Sequence, residues 1–98
     1  QIVWVDVTLD VQGNFVSSPQ SIVEEYISEF TDRRLTMSDI GSILLNSGAT
    51  RVDRDNNNVV FRKRWIDING NEHTEEGDVL SINRTETFAP GTINIQTQ

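Results

Sequence analysis

His73 is the chain's one histidine, and there is no cysteine, so any reactive centre has few residues to draw on. A Ser-His-Asp arrangement would have to recruit His73 from the acidic stretch Asn71–Asp78, and no serine sits in a strained-elbow sequence. His73 therefore reads as an exposed loop histidine. Glu75-Glu76 and Glu24-Glu25 are adjacent carboxylates. Acid–base work needs one carboxyl raised by an apolar pocket, which the sequence does not advertise, and adjacent carboxylates on a loop or a solvated helix face read as solubility charges. Asp53-x-Asp55-x-Asn57 and Asp67-x-Asn69-Gly70-Asn71 place oxygen ligands at the alternate positions that hard cations use. Neither continues to a glycine at the sixth place and an acid at the twelfth, and Asp and Asn are ordinary turn formers, so cation binding stays open there. The six glycines are scattered singly, without a phosphate-cradling loop. No catalytic residue, cofactor or metal ligand is assigned, and an enzyme is not expected.

One basic run stands out, Arg62-Lys63-Arg64 beside Trp65. On a strand, alternate residues face opposite ways, so Arg62 and Arg64 share one side and Lys63 and Trp65 the other. Basic residues with an aromatic can bind nucleic acid. Here 8 Lys+Arg stand against 15 Asp+Glu, a net charge of −7, and cross-strand pairing with Asp and Glu is the better reading. No nucleic-acid partner is expected. Arg62, Arg64, Trp65 and Trp4 are the candidate interaction residues, because Arg and Trp are favoured at interface hot spots.

The elements that must position them follow from periodicity. From Ile2 to Gln12 the chain alternates: Val3, Val5, Val7, Leu9 and Val11 face one way, and Trp4, Asp6, Thr8 and Asp10 the other. That is a half-buried strand, ended by Gly13-Asn14. Ser18-Pro19 opens a helix carried to about Arg33 by Ile22, Val23, Tyr26, Ile27 and Phe30, with Arg33-Arg34 at its negative end. Thr36-Met37-Ser38-Asp39 resembles a capping box, and Ile40, Ile43 and Leu44 form the stripe of a second helix that Gly48 ends. Gly41 lies inside it, which weakens a helix by roughly 1 kcal/mol. A close crossing by another element is the expected reason.

Strands follow. Thr50–Asp53 is short, 55–58 is a turn, and Val59–Ile68 is long. Asn69-Gly70 signals a tight hairpin, because both positions tolerate positive φ. Asn71–Asp78 reads as a polar mobile loop. Val79–Phe88 reads as a strand with Leu80 and Ile82 inward, Ala89-Pro90-Gly91 as a break, and Ile93 and Ile95 as a last short strand. The expected fold is α+β in the order β-α-α-β-β-β-β: two helices on one face of a mainly antiparallel sheet, with a long β-hairpin. Val3, Val5, Val7, Leu9, Ile22, Tyr26, Ile27, Phe30, Ile40, Ile43 and Leu44 are the expected core.

Ninety-eight residues with 36% hydrophobic content support one domain, 1–98. The sequence opens on Gln1 rather than Met and enters a strand at once, which suggests excision or processing from a longer protein. No run of about 18 apolar residues exists to span a membrane.

The segments "IVEEYI" (Ile22–Ile27), "LTMSDIGSILLNSGATRV" (Leu35–Val52) and "TETFAPGTINI" (Thr85–Ile95), taken with the valine strand, carry a resemblance. Together they resemble the C-terminal domain of the baseplate J-like proteins, which build the wedges of contractile phage tails and related injection machines. The family often has a glycine between its helices, where this chain has Arg33-Arg34-Leu35, and its Gly-Val is Gly48-Ala49 here. The resemblance implies structural work in a virion tail baseplate assembled in the host cytoplasm. Its partners would be other baseplate subunits or copies of the chain itself. The alternative is a small non-enzymatic binding module for a protein, peptide or glycan, with Trp65 and the Asn-rich loops as contacts.

Overall fold

The strand β1 (Ile2–Gly13) organises the molecule, and its alternation explains why. Val3, Val5, Val7, Leu9 and Val11 are each at most 1% exposed, on the side that the helices cover. The computed structural model describes residues 1–53 and 60–97. Its further elements are α1 (Pro19–Ser28), β2 (Arg34–Thr36), α2 (Met37–Asn46), β3 (Ala49–Asp53), β4 (Val60–Ile66), β5 (Glu72–Glu76), β6 (Val79–Ser81) and β7 (Thr87–Thr97). The fold is α+β, with a mainly antiparallel sheet and two helices.

Along one edge of β1 run β3, opposite Asp10–Gly13, and β4, opposite Trp4–Thr8, both antiparallel to it. β7 lies along the other edge, parallel to β1. β5 extends the sheet from β4, and β2 and β6 form a separate two-stranded sheet. α1 packs against β7 and α2, and α2 against β3. No helix among the described residues is long and apolar enough to cross a membrane.

Both helix starts follow the sequence signals. Ser18 caps α1 by accepting from the Ser21 N–H, with Pro19 in the first turn. Thr36 and Asp39 complete a reciprocal capping box on α2, at 3.0 and 3.1 Å. Gly48, at φ +127°, takes the positive-φ place after the second helix. α1, however, stops at Ser28 rather than Arg33, and no basic residue lies in its last turn. The chain must extend there, because Leu35 is fully buried and β2 pairs with β6. Nor does anything cross at Gly41: a Cβ there would meet nothing within 4 Å.

Val23 and Ile27 are the buried residues of α1, so its buried stripe lies one residue further round than expected. Ile22, Tyr26, Phe30 and Ile43 are half-buried flanks. Leu35, Met37, Phe61, Leu80, Phe88 and Ile93 join the core in addition. Tyr26, Phe30 and Phe88 form a run of tilted ring contacts with centroids 5.6 and 6.1 Å apart.

The second half departs most from expectation. Asn71–Asp78 is not a free loop; it contains β5, paired with β4 from Ile66↔Glu72 to Arg62↔Glu76. The turn is a three-residue type I turn with a glycine bulge rather than a two-residue Asn-Gly turn. Gly70 N–H donates to Asp67 O, Asp67 N–H to Asn71 O, and only Gly70 (φ +84°) is left-handed. Val79–Phe88 is not one strand. β6 ends at Ser81, and Asn83 forms an Asx turn, its Oδ1 accepting from the Thr85 N–H at 3.0 Å. Ala89-Pro90-Gly91 bulges β7 without breaking it. Pro90 is tolerated because β7 is an edge strand. The turn expected at 55–58 lies outside the described residues.

Candidate interaction surface on the open sheet face

The side of β1 away from the helices carries Asp6, which its neighbours hide almost completely, at 3% exposure. Register puts Asp6 opposite Arg62 and Trp4 opposite Arg64. Arg62 Nε donates to Asp6 Oδ2 at 2.9 Å and Arg64 Nε to the same oxygen at 3.2 Å. From the other edge, the bulge in β7 turns the Thr92 N–H onto Oδ1 at 2.8 Å. Gly91 makes that approach possible: a Cβ there would collide with Asp6 Oδ1 and lie 3.1 Å from Trp4 Cβ and the Val5 carbonyl. Burial pushes the Asp6 carboxyl up, but the hydrogen bonds from Arg64, the Thr92 N–H and Arg62 outweigh it and hold the group below its ordinary value. One carboxylate thus fastens three strands together.

Trp4 lies half-buried beside this clamp, with the Arg64 guanidinium 5.3 Å from its ring centroid. Ile2 and Ile66, 50% and 44% exposed, lie two residues beyond Trp4 and Arg64 on their strands, and the register continues to bring them opposite one another. Gln1 Nε2 donates to the Ile66 carbonyl at 2.7 Å, closing that end. The result is a small apolar patch, Ile2–Trp4–Ile66, edged by the two arginines.

Trp65 is elsewhere. The four candidate residues do not form one surface: Arg62, Arg64 and Trp4 share the open face, while Trp65 packs half-buried against the core on the helix side. There Lys63 Nζ sits 5.1 Å from the Trp65 ring centroid and donates to the Ser81 carbonyl. His73 stacks on Trp65 with centroids 5.4 Å apart and 19° between the planes. His73 is therefore a strand residue with partners, its Nε2 being 2.7 Å from Asp67 Oδ2. That hydrogen bond, with those from the Asn71 and Asn69 N–H groups, holds the Asp67 carboxyl below its ordinary value.

Both Asp67 oxygens are thus engaged in shaping the turn, which accounts for the Asp67–Asn71 spacing without a cation. Asp55 and Asn57 of the other oxygen-rich loop lie outside the described residues. Among the described residues no three His, Asp or Glu side chains converge to hold a metal ion. The expected cross-strand pairing of the basic run with acids sets Glu75 opposite Lys63 and Glu76 opposite Arg62, but the strand that supplies them was not readable because β5 has no apolar residue to mark it. Folding the sequence back about Asn69 sets acid against base at these positions.

The chain matches no family model, no curated protein and no solved structure.

Proposed function

We propose that this domain is a docking module without chemistry of its own, a structural subunit domain that holds neighbouring chains in a larger assembly. The contractile-tail baseplate, or a related injection machine, is the assembly its sequence resembles, and other subunits of that machine are its partners. The observation that carries the reading is the open face. Helices cover one side of the sheet, while the other presents Trp4 beside two half-exposed isoleucines, Ile2 and Ile66. The clamp on Asp6 holds that patch in place before any partner arrives, which lowers the ordering cost of association. An aromatic anchor rimmed by arginines has the composition of an interface hot spot.

The test is the double variant Trp4→Ala with Ile66→Ser in the full parent protein. Circular dichroism should show an intact fold while incorporation into the assembled complex falls. Unchanged assembly, together with tight binding of a glycan or peptide by the isolated chain, would favour the binding-module reading.

A further inference from the structure

β5 ends the sheet. It is hydrogen-bonded to β4 on one side and to no described strand on the other, and all five of its residues are exposed. Its hydrogen-bond phase follows from the bonds at its two ends. Asp67 N–H donates to Asn71 O, and Gly77 N–H to Phe61 O. Antiparallel pairs alternate between bonded and non-bonded, so His73 and Glu75 bond inward to β4. The N–H and C=O groups of Glu72, Thr74 and Glu76 therefore point out, to the free edge.

We infer that this edge accepts an extended basic segment of another chain as an added strand. The inference rests on the docking reading above and names the chemistry of one partner. The free backbone edge carries it, and the charges choose the occupant. Glu72 and Glu76 project on the open face and Glu75 on the helix face, so a consecutive run of basic residues meets carboxylates on both. β4 already shows the match from the inside, with Arg62 opposite Glu76 and Lys63 opposite Glu75. A second copy is refused, because it would set glutamates against glutamates on chains of net charge −7. A neutral strand would bring these carboxylates no counter-charge of its own.

The probe is a synthetic peptide, Thr-Val-Arg-Lys-Arg-Val-Thr, titrated into the labelled 98-residue chain and followed by amide chemical shifts. Shifts should centre on Glu72, Thr74 and Glu76. The same peptide with glutamine in place of its three basic residues should bind about tenfold more weakly. Thr74→Pro removes an outward N–H without touching the β4 ladder and should abolish the shifts. Should that variant fail to fold, a peptide N-methylated on its edge-facing amides asks the same question of the native chain. Binding that survives both blocks, or shifts centred on Trp4, would overturn the inference. Absence of binding while Trp4→Ala/Ile66→Ser still loses assembly discards the edge and keeps the docking reading. Edge binding alongside unimpaired assembly of that variant discards the open-face patch and keeps the edge.

Discussion

Asp6 shows how a single side chain can join elements distant in sequence. Its partners come from 56, 58 and 86 residues away, and they leave neither carboxylate oxygen unused. Asp6→Ala removes the acceptor for all three and leaves Arg64, whose side chain is 24% exposed, without its counter-charge. The expected loss is about 2–3 kcal/mol, below the range for fully buried pairs because the arginines keep some water. A urea melt checks it. The pH dependence has a fixed sign. A carboxyl held below its unfolded value of about 3.9 stabilises the fold above that pH, and the contribution is lost as pH falls through the lower native value. Acid titration of the native chain against Asp6→Asn should show that part of the dependence missing from the variant. The alternation of β1 made the direction of Asp6 readable from sequence. Its burial was not readable, because the bulge at Gly91-Thr92 belongs to a strand whose pairing partner lies at the other end of the chain.

Among the elements, those written in local chemistry were legible: β1 in its period of two, both helix starts in their caps, and the second helix stop in Gly48. What failed depended on distant pairing. β5 has no apolar signal and exists because β4 lies opposite; α1 is cut short because Leu35 is needed in the core. The arginine–tryptophan run was read correctly in its parity, yet only the fold shows that Trp4, not Trp65, joins the arginines. α2 offers a direct test of local against tertiary control. Gly41 has open space where a side chain would stand and no positive φ to require glycine. Gly41→Ala should therefore stabilise the domain by about 0.5–1 kcal/mol, visible as a higher denaturant midpoint at unchanged slope. An unchanged or lower midpoint would mean that another element needs the space.

At the scale of the molecule, the domain is 43 Å long and 18 Å thin, one sheet and one helical layer deep. Its open face and its β5 edge look in different directions, so partners on the two need not compete. The central pairing has a further consequence. β1 and β7 are neighbours running the same way, paired from Ile2↔Thr87 to Val11↔Thr97 with one bulge between. Tension applied between Ile2 and Thr97 pulls these two strands in opposite directions along their length. Their hydrogen bonds are then sheared together rather than peeled one at a time, and the Asp6–Thr92 bond is a rivet between the same two strands. A single-molecule stretch between these ends should meet a high rupture force, and one that opens the β4–β5 hairpin from its turn a much lower one. Asp6→Ala should weaken the first and leave the second almost unchanged. Equal forces in both geometries would deny the sheet this directional toughness.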